Sequence, residues 1–187
     1  MAQERQIRPG YAVIHPNRDR MVCKLTRLLV VLVLLVSVGL MLAVTIGGWS
    51  KLQGMTPVNF IWSAVYLVMA FYIARWARGL LPIAAVLGVL LLAIAAIAAL
   101  GLGGTSWFDR SHSAFAGAQA LGGGGHGLSA DLLGTLVVLL IPVSLALVVV
   151  ASVGFAQRWN VELEVSDEEA ARRGGRPVAR GPRPSAA

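Results

Sequence analysis

The chain has 187 residues, 57% of them hydrophobic and 13% charged, with a formal net charge of +7. Water-soluble domains hold about 45–50% apolar and about 25% charged residues, so the composition excludes an ordinary soluble domain. A single cysteine, Cys23, excludes an internal disulfide, and in so apolar a chain the excess of arginine points to membrane orientation and lipid contact rather than to nucleic acid.

Residues 1–27 form a basic tail with six Lys or Arg and two acidic residues. Pro16 and Asn17 suggest a helix start, with Asn17 as N-cap. That start would carry the helix from the cytoplasm into a first span at about 28–48. The apolar run Leu28–Ile46 exceeds the 7–15 residues of a signal-peptide core, and no small-residue cleavage site follows it, so the run reads as an uncleaved anchor. A second span is expected at about 57–74, entered through Thr56 and Pro57, and it is the least apolar of the set, with Asn59, Ser63, Tyr66 and Tyr72. The third, at about 80–102, is rich in Ala and Leu and tolerates Pro82 in its first turn. A fourth, at about 131–156, has Ser129 as a candidate cap, Asp131 at the positive helix end and Pro142 placed to kink it mid-span.

These spans coincide with stretches lacking Asp, Glu, Lys and Arg: Leu28–Ser50, Leu52–Ala74, Gly79–Phe108 and Leu132–Gln157. Each reaches the roughly 20 residues that a helix needs to cross a bilayer core. The predicted fold class is therefore all-α, a polytopic membrane protein built as an antiparallel bundle of four transmembrane helices. With both termini inside, the cytoplasmic side collects fourteen Lys and Arg and the outer side two, Lys51 and Arg110. That bias predicts a plasma (inner) membrane protein with both ends cytoplasmic. Trp49, Trp76, Trp107 and Trp159 fall at the expected span ends, as an aromatic belt requires.

Small residues spaced to let helices approach closely occur at Gly39, Ala43 and Gly47 in the first span, and at Ala84, Gly88, Ala95 and Ala99 in the third. No span interior carries an ionisable side chain, which weighs against proton-coupled transport and intramembrane catalysis. Ser37, Thr45, Asn59, Ser63, Thr135 and Ser144 are the candidate lining of a pore, although in helices hydroxyls commonly bond their own backbone.

The outer loop, residues 103–130, is the longest connection, with a short helix expected over Asp109–Leu121. It gathers His112, His126 and Asp109 near Asp131, the candidate metal ligands of the chain, at a spacing that matches no ligand motif. No nucleophile elbow or phosphate loop is present, so neither an enzyme nor a cofactor is expected. In the C-terminal tail, residues 157–187, the alternation VELEV at Val161–Val165 has strand character but no evident strand partner in the chain, and is expected to stay irregular or to pair with another protein. Ser166 to Glu169 has the spacing of a capping box, and disorder is expected from about residue 175.

The reading that follows is a non-catalytic accessory, assembly or scaffolding subunit acting through helix packing. Its partners are a bilayer with an anionic inner leaflet and either further copies of itself or another membrane protein. The alternative is a homo-oligomeric channel or carrier for ions or small solutes.

Overall fold

The computed structural model describes residues 11–49, 56–100, 128, 130–166, 169 and 172. In chain order these form β1 (Tyr11–Ile14), α1 (Pro16–Asp19), α2 (Met21–Gly47), α3 (Thr56–Ala74), a one-turn 3-10 helix (Arg78–Leu80), α4 (Leu81–Leu100), α5 (Ala130–Ala156) and β2 (Leu163–Ser166). Four helices, α2 to α5, are long and apolar enough to cross a membrane. The chain divides into two units, Leu25–Ala156 and the combined tails Met1–Lys24 with Gln157–Ala187.

In the first unit, each long helix buries one narrow stripe. On α4 the stripe is Leu81, Ala84, Gly88, Leu91 and Ala95; on α5 it is Leu133, Val137, Leu140, Ser144, Leu147, Ala151 and Gly154. On α3 it runs Ser63, Tyr66, Ala70 and Ile73, and on α2 Val30, Leu34, Ser37, Met41 and Val44. Steps of three and four alternate, the 3.5-residue repeat that keeps one seam facing a neighbour as helices coil left-handedly. Outside the stripes the side chains remain apolar and exposed, among them Leu32, Val36, Ile61, Val68, Val86, Ile97, Leu145 and Val149. Only 28% of three spans and 39% of the first is buried. In water so much exposed hydrocarbon would drive association, so the uncovered surface calls for lipid.

The most extensive helix contact is that of α4 with α5. It rests on small residues: Ala84 is fully buried, Ala95 nearly so, and at Gly88 an added Cβ would stand 3.1 Å from Val148 Cγ2. Where side chains are this short, helix backbones approach and van der Waals contact replaces the hydrophobic effect as the force between helices. Ala99 is half-buried. On α2, Gly47 is half-buried beneath Leu128, whose N–H donates to the Gly47 carbonyl (2.8 Å), whereas Gly39 and Ala43 are exposed and lie off the buried stripe. The helix α5 runs unbroken through Pro142, which is exposed.

The unit of the two tails departs from the sequence expectation. VELEV does have a partner in the chain: β2 pairs antiparallel with β1 in the register Tyr11↔Ser166, Ala12↔Val165, Val13↔Glu164 and Ile14↔Leu163. Ile14 and Val165 are both buried, so the alternation seen in the sequence serves a real apolar face. Asn17 is likewise not an N-cap of the first long helix. The turn α1 starts at Pro16 after His15, Arg20 is extended, and α2 begins only at Met21. The Asn17 amide instead donates to the carbonyls of Gln157 (3.3 Å) and Arg158 (3.0 Å). Arg18 Nη2 donates to Asn160 Oδ1 (3.2 Å), and a His15 ring nitrogen meets the Val161 carbonyl (3.4 Å). Trp159 closes this turn from within, fully buried, its indole N–H donating to Gln157 Oε1 (2.9 Å). The capping box is half present, with the Glu169 N–H donating to Ser166 Oγ (3.3 Å).

Candidate functional site: an arginine-clamped helix turn and a polar interior

Two features of the helical unit carry chemistry. The first is the turn between α3 and α4. Helix α3 ends in a Schellman closure: the Trp76 N–H donates to the Ile73 carbonyl (2.9 Å) and the Ala77 N–H to the Tyr72 carbonyl (3.0 Å). This closure needs a left-handed residue, and Trp76 supplies it with φ 69°. A residue with a Cβ there costs about 1–2 kcal/mol, which is why glycine normally holds the position. The strain is offset by what the indole does. The Arg27 guanidinium sits 4.2 Å from the Trp76 ring centroid and its Nη1 donates to the Ala74 carbonyl (3.1 Å), one of the unpaired acceptors at the end of α3.

Arg78 repeats the device on another helix end. Its Nε and Nη2 both donate to the Phe155 carbonyl (3.0 and 2.7 Å), and its guanidinium lies 4.5 Å from the Phe155 ring centroid. Cations at helix C-termini face the negative end of the peptide dipoles, so each clamp joins charge to an aligned set of carbonyls. Arg75 stands between the two clamps in sequence. Its guanidinium lies 4.5 Å from the Phe71 ring, and it makes no hydrogen bond or ion pair among the described residues. Sequence reasoning counted these arginines only as orientation signals. Their signal as a site was the run Arg75-Trp76-Ala77-Arg78, with cations directly beside an aromatic at a span end.

The second feature is polar and interior. Ser37 Oγ donates to the Val33 carbonyl (2.8 Å), Thr45 Oγ1 to Met41 (2.6 Å) and Ser152 Oγ to Val148 (2.7 Å), each one turn back along its own helix. Ser63 and Ser144 differ: both are buried, and neither hydroxyl has a hydrogen-bond partner. Tyr66 is fully buried, and the Trp62 ring meets it edge-on at 6.4 Å, which brings the indole N–H and the Tyr66 hydroxyl together as each other's polar neighbours. Ser63 and Ser144 lack a partner among the described residues, each at a cost of about 1–3 kcal/mol. Asn59 is half-buried on the same helix, and Thr135 on α5 is exposed.

His112, His126 and Asp109 lie outside the described residues, as do the short helix expected at Asp109–Leu121, the cap Ser129 and the tail beyond Arg172. Asp131 falls in the first turn of α5. Among the described residues no three His, Cys, Asp or Glu side chains gather at one point. No protein-family model, curated protein or solved structure matches the chain.

Proposed function

We propose that the chain is a non-catalytic membrane protein of four antiparallel spans, with both ends on the cytoplasmic face of the plasma membrane, and that it acts as an accessory, assembly or scaffolding subunit through helix packing. Antiparallel neighbours are supported by contacts at opposite ends of α2 and α3: Arg27 with Ala74 at one end, and the ring pair Trp49–Phe60 (6.0 Å) at the other. Termini on one side are supported by the β1–β2 ladder, because backbone hydrogen bonds cannot bridge a bilayer. The cytoplasmic placement rests on the distribution of arginine.

The observation that carries the assembly role is the outward face of α2. Gly39 and Ala43, four residues apart, are exposed, and no atom lies within 4 Å of a Cβ built on Gly39. A second helix, from another copy or from a partner, approaches most closely at such a place. The test is gentle extraction into nanodiscs followed by crosslinking and mass analysis. A fixed oligomer or stoichiometric partner that disappears with Gly39→Leu is the expected result. A monodisperse monomer, or an assembly indifferent to Gly39→Leu, overturns the role.

The Ser63 and Ser144 hydroxyls, without a partner among the described residues, favour the second reading, a channel or carrier whose polar solute or water satisfies them. Solute flux in liposomes that falls with Ser63→Leu would establish it, and the absence of flux for ions and small neutral solutes would remove it.

A further inference from the structure

We propose that Arg27, Arg75 and Arg78 form a binding site for the phosphodiester headgroup of an anionic phospholipid at the α3–α4 turn. Helix-end carbonyls and aromatic rings hold two of the three guanidiniums in place: Arg27 through Ala74 and Trp76, Arg78 through Phe155. Carbonyls orient a guanidinium without neutralising it. Of the five N–H donors on each arginine, Arg27 spends one and Arg78 spends two on protein acceptors, and Arg75 spends none.

Among the described residues no acidic side chain pairs with Arg27, Arg75 or Arg78. By sequence, Leu25–Ala156 contains two acidic residues, Asp131 and Asp109, the latter outside the described residues. Asp131 begins α5 and Phe155 closes it, a separation of about 36 Å along the helix. The unit of the tails has eleven basic and seven acidic residues, so it too is a net cation. Three guanidiniums without an acidic partner among the described residues, two of them held in place, are suited to an external anion, and the planar fork of arginine matches a phosphate oxygen pair better than a lysine ammonium does.

The surroundings favour a lipid over free phosphate. Beside the arginines the surface is hydrocarbon: Leu67, Val68, Phe71 and Tyr72 on α3 and Ile83 on α4 are all exposed. A headgroup on the arginines thus has an apolar flank for its acyl chains. Trp76 follows the end of α3 and Phe155 lies in the last turn of α5, span ends of the kind where aromatic rings meet headgroups.

The experiment is native mass spectrometry of the full-length protein in mild detergent, with phosphatidylglycerol, phosphatidylcholine or inorganic phosphate added at equal concentration. Phosphatidylglycerol should be retained about tenfold over phosphatidylcholine, with inorganic phosphate neither binding nor competing. Arg27→Gln and Arg78→Gln also remove helix-end hydrogen bonds, so Arg75→Gln is the deciding variant. It should lower phosphatidylglycerol retention about fivefold with the thermal midpoint in lipid-free detergent unchanged, and Arg75→Lys should restore only part of the loss. Equal retention of the two lipids, or retention indifferent to Arg75→Gln, overturns the site. Competition by inorganic phosphate at the same concentration overturns its assignment to a lipid.

Discussion

Replacing Gly88 with alanine measures how closely α4 and α5 meet. The added Cβ would stand 3.1 Å from Val148 Cγ2, 3.4 Å from Leu147 Cδ2 and 3.5 Å from Leu147 Cγ. Carbon atoms attract best at about 3.5–4.0 Å, so the first contact is several tenths of an ångström short. Val148 is β-branched and nearly fixed at χ1 in a helix, so it cannot swing aside and the helices must part instead. Overpacking of this kind costs about 1–3 kcal/mol. Removing a helical glycine returns about 0.5–1 kcal/mol. Gly134, on α5, has no atom within 4 Å of an added Cβ, so alanine there keeps the gain without the clash. The two variants should therefore differ by the packing cost alone, about 1–3 kcal/mol, with Gly134→Ala the more stable. Reversible unfolding in mixed micelles, followed by steric trapping, reads this difference directly. Equal stabilities, or a more stable Gly88→Ala, would refute the close approach of α4 to α5.

Three further outcomes are expected. Arg78→Lys keeps the charge but loses the double donation to Phe155, and should lower stability in the same assay by about 1 kcal/mol. Ser63→Ala removes a buried hydroxyl with no partner and should raise stability by about 1 kcal/mol, while Ser37→Ala, whose hydroxyl bonds its own helix, should change it little; the opposite order on a micelle unfolding curve contradicts the hydrogen-bond assignment. In a Cys23→Ser background, Val13→Cys with Glu164→Cys should form a disulfide under mild oxidation, because these residues face each other in the ladder, and Ile14→Cys with Glu164→Cys should not, since a one-residue slip turns the side chain to the other face. Intact mass before and after reduction distinguishes the two pairs.

The four long helices were legible because an uncharged apolar run of roughly 20 residues is hard to accommodate anywhere but in a bilayer. Their limits were less so. Helix α2 starts at Met21 rather than at Pro16 and Asn17, because Arg20 is extended and separates the turn α1 from it, a break that no residue type in the stretch announces. Which face of each helix turns inward was hardly readable, since helices apolar all round leave no amphipathic contrast. The trace that survives is small and polar residues at alternating steps of three and four, such as Ser144, Leu147 and Ala151, and abundant glycine and alanine blur it: Gly88 lies against α5, while Gly39 stands in open space. The strand character of VELEV was visible, but its partner Tyr11–Ile14 is a four-residue stretch some 150 positions away, beyond the reach of any local pattern. The arginine clamps were hidden for a similar reason. A charge at a span boundary looks the same whether it dangles in water or grips the end of another helix.

The ladder between the tails also imposes an order on synthesis. Strand β1 is made before the four long helices and β2 after them, so the earlier strand must wait, its edge unpaired, while every intervening helix is produced. Contacts this distant in sequence form slowly, and a waiting edge invites the wrong neighbour. The brevity of β1, four residues, keeps that period safe, for an edge so short offers little to a stray strand. A ribosome that stops before residue 163 would release a chain that can never close, distinguishable from the finished product by its permanently accessible leading segment.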